Sequence, residues 1–463
     1  MNPEFQRNLW LEYSARRVIF ATVSLGLIFL LGNSAFGTFA LRTSAEYAFY
    51  VIAVIWGARN AAQAVVGEIR DRTWDGQRLS SISPFAMTWG KLLGATSFAW
   101  YGGGLCLLVL TWTAYSEDGV GGAASGLCYF LIIALMAQNV AFFASLLAVR
   151  RRQTHSRLDV FFYQFAGLIA AWAVWQAWST VSSGRFFGDA PAVEELRWWG
   201  MSVDAPQFYF VSLIIFLIWA FIGCWRLMRL ELSMQNTPVV WSAFVVFMAF
   251  YFAGQDRPDV LADFGLEVSP TILPLLLACL TTAALSYAAA FAEPKDHVLY
   301  RWLAQTFLAK ETHLLWPRLQ AWMVAYAATL VLGLLLALIL ATNPPALLGY
   351  EFFRASSVVS ALGLMTRDMA IILYFALMPG SKRGEFPAVL ALAILYTVAP
   401  QLLGATSARI LFYPFGSDLG FAAPLIAWGE AILIWFFLCR TVGKSLVRKA
   451  AQNAPEDIQP ERK

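Results

Sequence analysis

GEIRDRTWDGQRLSSISPFAMTWGKL, residues 67–92, is the longest polar interruption in the first half of the chain, and it lies between two apolar runs. At 26 residues it is too long for a tight turn between neighbouring spans. Trp74, Leu79, Ile82, Phe85 and Met87 are scattered among both charge signs. That mixture predicts a short amphipathic helix at a membrane surface. Ser83-Pro84 supplies a start signal for the helix that follows.

Outward from this stretch the chain is blocky. Of 463 residues, 59% are hydrophobic and only 13% charged, about half the charge of a soluble domain. Apolar runs of about 20 residues recur, each long enough to cross a bilayer. The fold expected is all-α, a polytopic membrane protein. The first run is read as a retained span, because it is too long for the apolar core of a signal peptide. Twelve spans are expected, at 18–40, 46–66, 89–114, 123–149, 160–181, 207–225, 238–254, 270–292, 319–342, 355–379, 386–405 and 421–440. Before them, Phe5, Leu9, Trp10 and Tyr13 make an apolar stripe, so residues 1–17 are expected to form an interfacial elbow helix.

Basic residues orient the spans. With the N-terminus inside, 24 of the 33 Lys and Arg fall in inner segments and six in outer ones, while Arg59, Lys91 and Arg367 lie within spans. A bias of this size places both termini in the cytoplasm.

The chain also resembles itself. GEIRD at 67–71 resembles AEPKD at 292–296, which matches Glu68 and Asp71 with Glu293 and Asp296. The stretch from Ala134 resembles that from Gly363, and IWAFIGCWR ending at Arg226 resembles IWFFLCR ending at Arg440. Three matches in one order predict two parallel six-helix repeats. The expected divisions are 1–17, 18–232, 233–442 and a cytoplasmic tail at 443–463.

Chemical motifs are sparse. The five cysteines (106, 128, 224, 279 and 439) all lie in apolar runs, with no CxxC. Gly443-Lys444-Ser445 lacks the first glycine of a phosphate-binding loop, having Leu438 there. No catalytic, cofactor or metal residue is expected, and the chain is not expected to be an enzyme. Nothing indicates a nucleic-acid partner.

The series Glu68, Arg72-Thr73, Leu79, Ser83-Pro84 and Gly90-Lys91-Leu92 resembles the cytoplasmic segment of ABC exporter permeases of the second type. In those an acidic residue, Gly-Thr, a Leu-rich turn, a Pro and a Gly-Lys link the second and third spans. The sequence departs at Arg72, where the family has Gly. The resemblance implies a transport subunit in a plasma (bacterial inner) membrane, energised by separate cytoplasmic ABC ATPase subunits that carry the ATP and Mg. Segments 67–88 and 293–318 would couple to those subunits through Glu68, Asp71, Arg72, Thr73, Trp74, Glu293 and Asp296. Trp74 would be the anchor at that interface, flanked by charges including Arg70 and Arg78. Assembly as a homodimer or with another permease stays open, as does the cargo. The rival reading is a proton- or ion-coupled secondary transporter: Asp71-Arg72 fits the loop signature of the major facilitator family, although Gly76 and Arg78 come two residues late.

Ionisable and polar residues inside spans mark either pairs or a path. Arg367, Asp368, Glu430 and Arg59 balance in charge. Adjacent positions point to different faces, so Arg367 and Asp368 are expected to have separate partners, Glu430 and Arg59. The other reading is a polar path shared with Asn60, Gln63, Gln138 and Asn139.

Overall fold

A computed structural model of the chain describes residues 2–150, 157–183, 195–255, 272–310, 312–342, 354–378, 385–402 and 421–452. Nine helices among them are long and apolar enough to cross a membrane. The protein is therefore a multi-span helical membrane protein. The chain separates into two compact units: residues 1–196 with 202–236, and residues 197–201 with 237–463.

The first unit opens with α1 (Pro3–Glu12), started by Asn2, whose side chain accepts from the Glu4 amide. The elbow helix is thus shorter than expected, because Ser14 caps the next helix, α2 (Ala15–Phe49). Gly37 breaks α2 at φ 71 and ψ −160, a conformation that costs glycine little. The chain reverses there and not at 41–45, so the second span begins earlier than its expected limit. A π-helical segment, Tyr50–Trp56, leads into α3 (Gly57–Arg70). Gly57, Ala58, Ala61, Ala62 and Val65 are all buried, a small-residue face that lets α3 approach a neighbouring helix closely.

A five-residue helix, α4 (Trp74–Arg78), is all that forms of the expected amphipathic helix. Ser83 and Pro84 start α5 (Pro84–Ala95), as expected, with the Ser83 hydroxyl accepting from the Ala86 amide. Then come α6 (Ser97–Arg150), α7 (Arg157–Ser183) and α8 (Ala205–Glu231). Fifty-four residues of α6 would extend about 80 Å as one rod, far beyond a hydrocarbon core. Gly119, at φ 68 and ψ −156, interrupts it. Arg42 and Glu117 form an ion pair near these two glycine breaks.

The connection into α8 holds two four-residue strands, β1 (Glu195–Trp198) and β2 (Met201–Asp204). Trp199 and Gly200 have the positive φ that a two-residue hairpin turn needs.

The second unit consists of α9 (Val239–Ala253), α10 (Leu273–Ala292), α11 (His297–Leu308), α12 (Thr312–Leu315), α13 (Ala321–Thr342), α14 (Ala355–Ala376), α15 (Glu385–Ala393), α16 (Ala399–Leu402) and α17 (Ala422–Gln452). A second π-helical turn, Ile394–Val398, joins α15 to α16. Met365, Met369, Ile372 and Leu373 of α14 form the core of this unit with Leu438 of α17 and Ala289 and Ala290 of α10. Trp198 and Trp199 belong to this unit and pack on Phe250 of α9.

Candidate functional site

The segment that interrupts the first unit's helices is fastened by a buried charged network. Gly90 and Gly94 lie one turn apart on α5 and make room for α1. A Cβ at Gly90 would come within 2.8 Å of Asn2 Nδ2, and one at Gly94 within 2.8 Å of the Asn8 Cβ. The close approach brings Glu4 to Lys91. Phe5 packs on Trp89, Asn2 Nδ2 donates to the Ala86 carbonyl at 2.5 Å, and the Tyr13 hydroxyl donates to the Ser97 carbonyl at 3.0 Å.

Lys91 has three N–H donors, and three acceptors meet them. Nζ is 2.9 Å from Glu4 Oε1 and 2.5 Å from Gln77 Oε1, and it also donates to Glu68 Oε2. Gln77 Nε2 donates to the other Glu68 oxygen at 2.8 Å, and Arg7 bridges Glu4, at 2.8 Å, and Glu68. The Trp74 ring lies 5.1 Å from the ammonium, a cation–π contact. Two acids and two bases balance, with Lys91 only 1% exposed. Burial would raise the Glu4 carboxyl, but Lys91 and Arg7 outweigh it and hold the group below its ordinary value. Burial works against the Arg7 cation too, yet Glu68 and Glu4 push it further up.

This geometry corrects part of the expected docking surface. Trp74 is buried beneath Lys91 and is no external anchor, and Glu68 is spent inside the network. Thr73 closes α3, its amide and hydroxyl both donating to the Glu68 carbonyl. Arg72 takes φ 59, the left-handed conformation that glycine adopts most readily. Asp71, Arg72, Thr73, Asp75 and Arg78 remain exposed, and Leu79 protrudes at 89% exposure. Glu4, Arg7 and Gln77 were missed from sequence. The available signals were Asn2-Pro3 before Glu4, a helix start, and the Gly90/Gly94 spacing.

In the second unit the stretch 293–322 is fastened in part by neutral side chains. Gln320 Oε1 accepts from the Trp322 indole at 2.7 Å and from the Tyr300 hydroxyl, while its Nε2 donates to the Pro294 carbonyl at 3.4 Å. Burial pushes the Tyr300 hydroxyl up. Glu293 accepts from the Trp322 amide, and Asp296 caps α11 by accepting from the Val298 amide at 3.0 Å.

The same unit holds a second cluster, within its spans. Arg367 donates to Glu430 Oε2 at 2.8 Å, as expected, but also to Asp368 Oδ1 at 3.1 and 3.2 Å. In place of the expected Arg59, Asp368 takes partners from its own unit. The guanidinium folds back on its own neighbour, and Tyr287 and Tyr396 hydroxyls fill Asp368 Oδ2 at 2.8 and 2.6 Å. Arg59 is exposed and takes part in none of the ion pairs among the described residues.

In the first unit, Gln138 is no vacant path residue. Its Nε2 donates to the Ala53 carbonyl at 2.9 Å and its Oε1 accepts from Trp100. Gln164 does the same for the Ile55 carbonyl. These two amides serve carbonyls of the π-helical segment, whose widened turns leave backbone oxygens to be satisfied. Asn139 donates to the Leu135 carbonyl on its own helix at 2.8 Å, and Asn60 and Gln63 are half-buried.

Among the described residues no group of three or more His, Cys, Asp or Glu is placed to hold a metal ion. No family model, curated protein or solved structure matches the chain.

Proposed function

We propose that this chain is the membrane-spanning subunit of an ATP-driven exporter, energised by separate cytoplasmic ATPase subunits. One observation carries the reading: the polar segment 71–79 projects from a framework that fastens it to three helices, α1, α3 and α5, through Glu4, Glu68 and Lys91. Force applied at an exposed tip passes to spans only if the tip cannot swing freely, and a buried ion network restrains it. The docking surface is then Asp71, Arg72, Asp75, Arg78 and the projecting Leu79, in place of Trp74. The ATP and Mg would reside on the partner.

In this reading the spans number twelve. To nine long helices are added the second half of α6 after Gly119, the 15-residue α9 and the apolar stretch through 386–402. They form two parallel six-span halves, 18–232 and 233–442, in a plasma membrane with both termini cytoplasmic.

The test is affinity purification of tagged protein in mild detergent beside an Asp71→Lys/Leu79→Glu variant. Both residues are exposed, so the variant keeps the buried network. An ATPase that co-purifies with wild type and is lost from the variant supports the reading. A chain that purifies alone and moves solute on an ion gradient overturns it in favour of a secondary transporter, the reading that the buried Arg367–Asp368–Glu430 cluster favours.

A further inference from the structure

We propose that α11 and the turn after it form a docking surface for anionic lipid headgroups of the same membrane. The argument starts from tethering. Only four residues separate the end of α10 at Ala292 from His297, a reach of about 14 Å. At the other end Arg318 lies three residues before α13. Twelve residues of α11 are too few to span, so both ends of the segment leave one membrane face. The Tyr300 hydroxyl, Gln320 and the Trp322 indole bond the helix to the first turn of α13. The helix is thus held level with the end of a span.

Its faces match that depth. Leu303 and Thr306 are buried along one line of the helix. Val298 and Phe307, on the two flanks of that line, are 72% and 66% exposed. Trp316 is exposed in the turn that follows. Two large apolar side chains beside the buried line suit the boundary between headgroups and acyl chains. Arg301, Lys310 and Arg318 are exposed, and Arg318 lies 4.3 Å from the Trp302 ring, which holds it against α11. The described acids nearby are occupied: Asp296 caps the helix and Glu293 accepts from Trp322. Exposed bases beside exposed apolar groups, pinned at the membrane level, complement phosphate headgroups. The inference is independent of the exporter reading, since it needs only the bilayer.

The experiment is hydrogen–deuterium exchange of the full chain in nanodiscs of phosphatidylcholine alone and of phosphatidylcholine with phosphatidylglycerol at equal parts. Amides of 297–308 should exchange more slowly in the anionic discs, on the order of tenfold. The difference should shrink at high salt. It should vanish in Arg301→Gln/Lys310→Gln/Arg318→Gln, whose substitutions are all exposed. Amides of α14, which lies in the buried core of its unit, serve as the internal reference. Equal exchange of 297–308 in both discs overturns the proposal, and so does a lipid effect that persists in the triple variant. Protection that appears only when an ATPase is added assigns the surface to a protein and also overturns it.

Discussion

Lys91 and Glu4, 87 positions apart in sequence, meet at 2.9 Å with side chains 1% and 4% exposed. This pair is the junction between the N-terminal helix and the polar segment. Removing the cation leaves two carboxylates facing Arg7 alone. We expect Lys91→Met to cost about 3–5 kcal/mol, read as a lowered melting temperature in detergent. A Glu4→Gln/Lys91→Met double variant should lose less than the sum of the single changes.

Glu4 also makes the junction sensitive to acid. Its folded carboxyl sits below the ordinary value of 4.5, so the folded chain holds that proton less tightly than the unfolded one. The stability it supplies is therefore full above pH 4.5 and fades as pH falls below that value, through the folded titration. Melting of wild type and Glu4→Gln, followed against pH, should show a gap at pH 7 that closes under acid conditions.

Gly90 is a steric requirement. Its added Cβ would meet Asn2 Nδ2 at 2.8 Å and the Glu4 Cβ at 3.0 Å, whereas nothing lies within 4 Å of one at Gly104. Gly90→Val should lift α1 and cost about 1–3 kcal/mol. Limited proteolysis should then cut within residues 3–14 in that variant and spare Gly104→Ala.

The Arg367 cluster divides into a core pair and an edge. Asp368 Oδ1 and Oδ2 each accept two hydrogen bonds, while Glu430 is 26% exposed. Arg367→Leu strips the counter-charge from a buried aspartate and should cost about 3–5 kcal/mol. Glu430→Gln leaves the Arg367–Asp368 pair intact, so it should still elute as a monodisperse peak in size exclusion. The comparison of the two variants checks whether Glu430 is held for folding or for transport.

What the sequence disclosed follows from which forces are local. Apolar runs located the spans because bilayer thickness sets their length, and the Ser83-Pro84 start signal acts within one turn. Glu430 was found as a partner of Arg367 because charges in spans are few. The remaining contacts of Asp368 were hidden, since Tyr287 and Tyr396 are neutral and leave no trace in a balance of charge. Trp74 was misplaced because exposure in a polar stretch depends on what folds over it. Here that cover includes Lys91, 17 positions later, which Glu4 from the chain's start holds in place. The reversal at Gly37 was obscured by the apolar residues on both sides of it.

The π-helical turns at Tyr50–Trp56 carry a consequence for the polar segment beyond them. A π-helical turn is an α-helix with a residue to spare, so it offsets the azimuth of everything downstream by about 100°. Deleting one residue there, such as the exposed Val51, would let the helix relax to regular α geometry. Glu68 would then swing by more than a quarter turn away from Lys91, and Gly57 from Gln138. The orientation of the charged junction at the membrane surface is thus set by a slip in backbone hydrogen bonding about three turns earlier, inside the span.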